Sequence, residues 1–425
     1  MLSLTVRTNR TGPIRGRHPW VFSGALLNIP EGLEGGTSVA LVDEQGNFLA
    51  QGYFNSYSQI AVRVWSWEKA EEVNEEFFVR RVEQAYEIRK KYVASKLTDS
   101  YRLIHGENDL LPGLIVDKYG SYLSLQFHNP GIETWREQIV AALVKVVKPK
   151  GIYERSDVRD RKRGAPPVIP AEAGIHGSPI ESGMTSASKT EISSSGRNDK
   201  TGRALLYGEV PEKVKILENG YKFWVDIIGG QKTGFFLDQR DKRLALTKYV
   251  EGKKVLNCFS YTGGFSVYAL GAEAKQAVSV DASENALKLA EENVKLNKLN
   301  ESKAEFILAD VKQYLVDREK GEFDVIILDP PAFIKDRHKI KEGLSGYRKI
   351  NEAALRVLPP GGILVSASCS AHLSLEDFRF MLSESAARAG RTLQILETFT
   401  HGIDHPELVA FTEGEYLKCV FARVV

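Results

Sequence analysis

Four polar residues stand where predicted strands end in the second half of the chain. Asn257 closes the run KKVLN, and three later apolar runs end in aspartates, namely Asp281, Asp310 and Asp329. In an open parallel sheet, ligands bind outside the carboxyl ends of the strands, and an acid at the second strand end can accept both hydroxyls of a ribose. The acid at the third strand end is placed to contact an adenine. A single such aspartate is often only a helix cap, but four polar strand ends predict a nucleoside pocket.

The turn after the first of these strands carries paired glycines. It reads NCFSYTGGF, and Gly263 and Gly264 remove side chains where a ligand must approach the backbone closely. The GxGxxG pattern of dinucleotide-binding turns is absent. A sharp turn that binds nothing is the alternative interpretation.

The three cysteines of the chain, Cys258, Cys369 and Cys419, are too widely spaced for a disulfide scaffold or a CxxC metal site. Cys369 directly follows the predicted strand GGILVSAS and is expected to face the mouth of the pocket, where nearby dipoles can lower the pKa of a thiol. A packed, unreactive thiol is the alternative there. Cys258 and Cys419 are expected to be small buried hydrophobic residues.

The elements that must position these residues alternate between strand and helix from Lys253 onward. Such alternation indicates the α/β class, with a parallel sheet covered by helices on both faces. Ser283 is predicted to cap a helix over 284–297, whose apolar residues recur at helical spacing.

The first half of the chain has a different pattern. Residues 1 to about 72 alternate short apolar runs with Gly, Asn and Pro, which is typical of a small β-barrel or sandwich. A basic amphipathic helix is predicted over 75–93, followed by two strands and a helix over 132–147, which together form a central α+β unit. Residues 164–202 are rich in Ser, Gly, Pro and Thr without periodicity, so a disordered insert is expected there.

Composition limits the function classes. Of the 425 residues 43% are hydrophobic, and 57 Lys and Arg against 55 Asp and Glu leave a net charge of +2, which excludes a collagen-like or acidic-tail protein. No apolar run reaches the roughly 18 residues of a membrane span, and no signal core is present, so a cytoplasmic protein is expected. His401 and His405 need not share a face and have no third ligand nearby, so no metal site is predicted.

The series of strand-end residues resembles that of the class I S-adenosylmethionine-dependent methyltransferases. The motifs GQKTGFFLDQR, NCFSYTGGF, DPPAF and SCS, together with PWVFSGAL and ERSDVR, are similar to those of the bacterial large-subunit rRNA cytosine-5 methyltransferase family. The resemblance implies a PUA-type RNA-binding β-barrel at 1–73, a central α+β domain at 74–210, and a Rossmann-like methyltransferase domain at 211–425. The insert at 164–202 does not belong to the family pattern.

The resemblance also implies a cofactor, S-adenosyl-L-methionine, and a set of residues that bind it. These are Gln239, Arg240, Asn257, Phe259, Thr262, Gly263, Gly264, Asp281, Asp310 and Asp329. Asn257 departs from the pattern, since many such enzymes have an acid there. The implied partner is 23S rRNA or a large-subunit precursor, with no membrane and no metal, and a homodimer stays open.

The N-terminal residues predicted to contact RNA are basic or aromatic, because cations hold phosphates and an aromatic ring can stack on a base. They are Arg7, Arg15, Arg17, His18 and Trp20. Solvated surface charge is the alternative for the basic residues, and a core position is the alternative for Trp20.

The implied reaction needs a nucleophile, because carbon 5 of cytosine attacks a sulfonium only after a thiolate has added to carbon 6. Cys369 is the predicted nucleophile. Asp329, fixed by the two prolines that follow it, is predicted to lie across the pocket and share a proton with ring nitrogen 3. The base must leave its stack to react, and Phe333 and Tyr347 are candidates to hold it.

Two other functions remain open at this point. The sequence DPPAF is similar to the (D/N)PP(aromatic) loop of amine methyltransferases, which would favour methylation of a guanine nitrogen. That chemistry needs no thiol. A non-catalytic RNA-binding or ribosome-assembly protein with an inherited cofactor fold is the alternative from a different class.

Overall fold

The computed structural model describes residues 1–156, 203–334 and 336–425. The insert predicted at 164–202 therefore lies outside the described residues. Within those ranges the strands form a five-stranded N-terminal sheet, a five-stranded central sheet, a two-stranded hairpin and a seven-stranded C-terminal sheet. Across the same ranges, none of the helices combines the length and the apolar character needed to cross a bilayer.

The N-terminal sheet has the strand order β1-β3-β4-β5-β2, with β1 parallel to β3 and the other neighbours antiparallel. A short helix connects its first two strands. The elements are β1 (Leu2–Thr5), α1 (Thr11–Arg15), β2 (Trp20–Phe22), β3 (Ser38–Val42), β4 (Phe48–Phe54) and β5 (Ile60–Ser66). Inward-facing Val39, Leu41, Val62 and Val64 are fully buried, as alternation along the strands requires.

The central sheet has the order β10-β9-β8-β7-β6, and α2 packs against α4 beside it. The elements are α2 (Glu75–Tyr92), β6 (Tyr101–His105), β7 (Leu114–Tyr119), β8 (Tyr122–Phe127), α3 (Pro130–Glu133), α4 (Arg136–Val147), β9 (Gly151–Arg155) and β10 (Arg203–Gly208). Helix α2 begins after Asn74, whose side chain accepts a hydrogen bond from the Phe77 N–H at 3.0 Å. Phe77 and Phe78 then fill the core of this unit.

The C-terminal sheet has the order β15-β14-β13-β16-β17-β19-β18. Strands β13 to β17 are parallel, and β19 lies antiparallel between β17 and β18. The elements are β11 (Val214–Glu218), β12 (Tyr221–Val225), α5 (Arg240–Leu246), β13 (Lys254–Cys258), α6 (Gly264–Gly271), β14 (Gln276–Asp281), α7 (Glu284–Leu296), β15 (Ala304–Leu308), α8 (Val311–Val316), β16 (Val325–Leu328), α9 (Ile340–Val357), β17 (Ile363–Ser368), α10 (Leu375–Arg388), β18 (Leu393–Phe399) and β19 (Lys418–Val424). The predicted α/β class is confirmed.

Apolar layers on both faces of this sheet explain the continuous burial of its inner strands. Along β13, Val255 belongs to one layer and Leu256 to the other. The strand order reverses between β13 and β16, which opens a crevice at their carboxyl ends. The predicted cap at Ser283 is confirmed, since its Oγ accepts a hydrogen bond from the Ala286 N–H at 3.3 Å.

Candidate active site

A cavity of about 270 Å³ lies at the switch point of the C-terminal sheet, bounded by the turns after β13, β14, β15, β16 and β17. It brings together most of the residues that the sequence singled out. The predicted residues that line it are Gln239, Phe259, Thr262, Gly264, Asp281, Asp310, Asp329 and Cys369. Side chains that are more than 100 positions apart in sequence therefore meet in one crevice.

Three of the predicted cofactor residues lie outside this lining. Asn257 is buried in β13, where its Nδ2 donates to Ser266 Oγ at 2.9 Å. Gly263 has a φ of 75°, and a Cβ at this position would come within 2.8 Å of Ala290 Cβ, so it serves close packing against α7. Arg240 is buried in an ion pair with Asp404 at 2.6 Å. Direct cofactor contact by these three residues stays a prediction, and the contacts seen here show that they also support the wall of the crevice.

The turn after β13 holds two residues other than glycine in left-handed conformation, Phe259 at a φ of 58° and Tyr261 at 47°. Such conformations cost of order 1–3 kcal/mol each and persist only where surrounding contacts enforce them. Tyr261 Oη accepts a hydrogen bond from the Gln231 N–H at 2.9 Å and donates to the Gly234 carbonyl at 3.1 Å. Sequence reasoning missed Tyr261, which fixes the loop over 230–234 above the crevice.

Asp281 and Asp310 lie at one end of the crevice. Asp281 Oδ2 accepts from the Tyr261 N–H at 2.8 Å and its Oδ1 from the Ser283 N–H at 2.9 Å, so the carboxylate is held in place and keeps acceptor capacity for a ligand hydroxyl. Burial raises the pKa of Asp281 despite these hydrogen bonds. Asp310 is exposed and caps α8 by accepting from the Gln313 N–H at 3.0 Å, so it is a helix cap that also lines the crevice.

Two hydroxyls in the same crevice lack partners in the described part of the chain. Ser260 Oγ and Thr262 Oγ1 are buried without a hydrogen bond, and both residues line the cavity. Buried polar atoms in folded proteins are nearly always paired, so these atoms indicate a polar ligand. A nucleoside with an attached amino acid, such as S-adenosyl-L-methionine, fits this set of hydroxyl and carboxylate groups.

Asp329 lies at the other end of the crevice. Gln239 Nε2 donates to its Oδ1 at 2.9 Å. Burial and the negative charge of Asp238 raise the pKa of Asp329 to about 6, while Lys232 opposes the shift. A carboxyl group with this pKa can hold or release a proton near neutral pH, as general acid–base chemistry requires.

Cys369 shares this end of the crevice, with its Sγ 4.0 Å from the Pro330 carbonyl oxygen. It is half-buried, whereas Cys258 and Cys419 are fully buried, as predicted for those two. The expectation that nearby dipoles lower the thiol pKa is wrong. Burial raises the pKa of Cys369 to about 11, and the positive charge of Lys232 offsets only part of this shift.

Lys232 lines the crevice and is a cation that acts on the thiol of Cys369. Its backbone is left-handed, with a φ of 50°, and its Nζ lies 4.2 Å from the centroid of the Phe236 ring. The neighbouring Thr233 donates to Asp117 of β7, which ties the loop to the central sheet. Sequence reasoning placed Lys232 in a motif but assigned it no role.

Replacing Lys232 with methionine is expected to slow alkylation of Cys369 by iodoacetamide severalfold at a given pH, because loss of the positive charge raises the thiol pKa and so lowers the thiolate fraction. In the wild type the rate should rise about tenfold per pH unit until the pH approaches the thiol pKa. Peptide mass spectrometry of the Cys369 peptide measures both rates. Lys248→Met, which removes an exposed lysine paired with Glu397, is the control. Equal rates for the two variants would exclude an electrostatic effect of Lys232.

The predicted stacking and RNA-contacting residues are only partly accessible. Tyr347 is fully buried and its hydroxyl forms hydrogen bonds with Ser368 and Ser370, so its predicted stacking role is wrong. Phe333 is half-buried.

Trp20 is only 7% exposed and its Nε1 donates to Glu107 at 2.8 Å. Its core alternative is therefore the correct one.

The basic N-terminal residues differ in their surroundings. Arg7 is exposed, Arg15 pairs with Asp43 at 3.2 Å and Arg17 with Glu68 at 3.5 Å. His18 Nε2 lies 3.2 Å from Glu413, which belongs to the loop between β18 and β19. The arginines keep accessible charge, whereas His18 joins the N-terminal sheet to the C-terminal one.

Comparison with known proteins agrees with this site. Residues 189–420 match the family described as S-adenosylmethionine-dependent methyltransferase, and residues 4–67 match a PUA-like domain. A protein of Salmonella newport named "Ribosomal RNA large subunit methyltransferase I" is 41% identical over 99% of this chain and 97% of its own length, and the Salmonella typhimurium protein of that name shows the same values.

Solved structures show the same fold. A putative SAM-dependent methyltransferase from Streptococcus mutans is 25% identical, covers both chains fully and has a TM-score of 0.78. SMU.776, a putative methyltransferase complexed with SAH, is 24% identical with full coverage of both chains and a TM-score of 0.81. The crevice, the sequence match and the shared fold agree: the chain belongs to the S-adenosylmethionine-dependent methyltransferase family, with S-adenosyl-L-methionine as its cofactor and a PUA-like domain at its N-terminus.

Proposed function

We propose that this protein methylates carbon 5 of a cytosine in 23S rRNA through a covalent adduct with Cys369. The observation that carries the proposal is that the half-buried thiol of Cys369 and the carboxyl group of Asp329 line the same end of the cofactor crevice. A methyl transfer to a guanine nitrogen would need no thiol there. The names of the Salmonella relatives support a large-subunit rRNA substrate.

The residues of the crevice divide the reaction between them. When bound, the cofactor supplies a methyl group on a positively charged sulfur. Cys369 gives its proton to the Asp329 carboxylate and forms a bond to carbon 6 of the base. Asp329 passes this proton to nitrogen 3, which takes up the electron pair that moves into the ring. Carbon 5 then takes the methyl group. Loss of the proton from carbon 5 lets the bond to sulfur break and restores Cys369.

At the end of the crevice opposite Cys369, oxygen atoms of the protein would orient the cofactor. Asp281 would hold the ribose, and Ser260 and Thr262 would bind polar groups of the methionine part. Asp310 would lie beside the adenine. Placing the cofactor before the base arrives lowers the entropic cost of bringing the two reacting carbons together.

The remaining parts of the chain would position the RNA. We assign RNA contact to the PUA-like unit at 1–73 through Arg7, Arg15 and Arg17, because exposed guanidinium groups bind phosphates. The central unit at 74–210 would link this surface to the methyltransferase unit at 211–425. Since the base must be unstacked to reach the crevice, the target is expected in a loop or a flipped position.

The test is to incubate the full-length protein with isotopically labelled S-adenosyl-L-methionine and unmodified large-subunit rRNA, and to identify the labelled nucleoside by mass spectrometry. Labelled 5-methylcytidine is the expected product. A labelled methylguanosine would replace the proposal with the amine reaction. Cofactor binding without a labelled nucleoside would favour a non-catalytic RNA-binding protein.

A further inference from the structure

Asp238 is a crevice residue to which no role has yet been assigned. It lies in the short turn Leu237–Gln239 that precedes α5, and its side chain is only 6% exposed. Its Oδ2 accepts a hydrogen bond from Tyr416 Oη at 2.7 Å. Its Oδ1 is buried and has no hydrogen-bond partner among the described residues, although Asp238 lines the cavity. A buried carboxylate oxygen without a partner is costly, so this atom points to a ligand donor.

Asp238 belongs to the end of the crevice that holds Asp329 and Cys369. Its negative charge raises the pKa of both groups, whereas the pKa of Asp281, at the opposite end, is set by burial and backbone hydrogen bonds. Gln239, the next residue, donates to Asp329. Asp238 therefore belongs to the end of the crevice that the target base would occupy.

The two aspartates at this end differ in protonation. Although burial opposes ionisation, the charge of Lys232 helps to lower the pKa of Asp238 below its ordinary value, while the pKa of Asp329 is raised to about 6. One carboxylate is therefore a pure hydrogen-bond acceptor, and the other group can donate a proton. Adjacent acids whose pKa values are pushed apart commonly have different tasks.

We propose that Asp238 is a specificity-determining residue whose Oδ1 accepts a hydrogen bond from the exocyclic amine of the target cytosine. The inference rests on the proposed cytosine-5 function and names how the base is selected. Cytosine presents an amine donor at carbon 4 and an acceptor at nitrogen 3, which match Asp238 and a protonated Asp329. Uracil presents an acceptor at carbon 4 and a donor at nitrogen 3, so it would leave Asp238 facing another oxygen.

Tyr416 makes this recognition directional. Its hydroxyl donates to one oxygen of Asp238, which fixes the carboxylate and leaves the other oxygen free for a ligand. Tyr416 is itself fixed, since only 1% of it is exposed and its ring packs 4.3 Å from the centroid of the His401 ring. A preorganised acceptor loses little rotamer entropy on binding and discriminates more sharply than a mobile one.

The test is Asp238→Asn. The asparagine oxygen can still accept the hydrogen bond from Tyr416, which turns the amide NH₂ toward the base and replaces an acceptor by a donor. We expect kcat/KM for formation of 5-methylcytidine in large-subunit rRNA to fall at least about 100-fold, with the Kd for S-adenosyl-L-methionine unchanged within about threefold. A second transcript carries uridine in place of the cytidine that the wild type methylates. The ratio of kcat/KM for the cytidine transcript to that for the uridine transcript should be at least about 100-fold smaller in the variant than in the wild type.

The other outcomes separate the explanations. If Asp238→Asn loses its affinity for S-adenosyl-L-methionine, Asp238 binds the cofactor amine and the inference is overturned. Unchanged kcat/KM and unchanged base preference in this variant would also overturn it. Tyr416→Phe keeps the carboxylate but removes its orientation, so a smaller loss of cytosine preference at equal cofactor affinity supports the inference even where Asp238→Asn fails to fold. A wild-type product other than 5-methylcytidine would refute the proposed function instead.

Discussion

Cys369→Ala is expected to lower kcat/KM for methyl transfer by at least about 10⁴-fold while leaving the affinity for S-adenosyl-L-methionine unchanged. Removing a catalytic nucleophile typically costs this much or more, because the covalent route is lost entirely. The cofactor contacts proposed at Asp281, Ser260 and Thr262 do not involve the sulfur. Single-turnover assays with labelled cofactor and calorimetric titration of the cofactor measure the two quantities separately.

The other two cysteines provide matched controls. Cys258 and Cys419 are fully buried and neither lines the crevice, so neither thiol can reach a bound base. Cys258→Ala and Cys419→Ala remove a small apolar group, which should cost about 1 kcal/mol of the free energy of unfolding and little activity. Full activity in Cys369→Ala would contradict the thiol mechanism and favour methylation of a guanine nitrogen.

An adduct experiment tests the same bond directly. In RNA that carries 5-fluorocytidine, carbon 5 has no proton to lose after methylation, so the bond between Cys369 and carbon 6 should persist. The wild type is expected to form a protein–RNA complex that survives denaturing electrophoresis, and Cys369→Ala is not. A complex of equal yield in both proteins would place the covalent bond on another residue.

Strand ends were predictable because apolar runs and the residues that follow them are local features of the sequence. This is why the sequence predicted four of the residues that line the crevice, namely Asp281, Asp310, Asp329 and Cys369. The same logic also singled out Asn257 and Gly263, which lie outside the lining of the crevice, because local sequence does not say whether a residue at a strand end faces the crevice or packs beneath it. The burial of Asn257 against Ser266 is a tertiary contact.

The residues that sequence reasoning missed depend on contacts between distant segments. Lys232 and Asp238 acquire their positions from a loop held by Tyr261 and from a hydrogen bond with Tyr416. Neither contact has a periodic signature. The antiparallel placement of β19 between β17 and β18 is likewise set by sheet pairing rather than by local pattern.

Arg240 shows how a motif residue can act on a site from outside it. It pairs with Asp404, in the loop between β18 and β19. The same carboxylate accepts a hydrogen bond from the Arg102 N–H at 3.0 Å, and Arg89 donates to the Asp404 carbonyl at 2.8 Å. This cluster joins the central sheet to the loop that carries Tyr416, and hence to Asp238.

Asp404→Asn is therefore expected to lower the free energy of unfolding by about 3–5 kcal/mol, because the guanidinium of Arg240 loses its buried counter-charge and keeps only the exposed Asp241 at 3.7 Å. Burial opposes ionisation of Asp404, but the charge and hydrogen bonds of Arg240 outweigh it and hold the pKa of Asp404 well below its ordinary value. This stabilisation is therefore complete at neutral pH and is lost only as the pH falls below about 4. Urea unfolding at pH 7 measures the change. The control is Asp241→Asn, which removes an exposed carboxylate 3.7 Å from Arg240 and should cost less than about 1 kcal/mol. Equal losses in the two variants would mean that the cluster does not stabilise the junction.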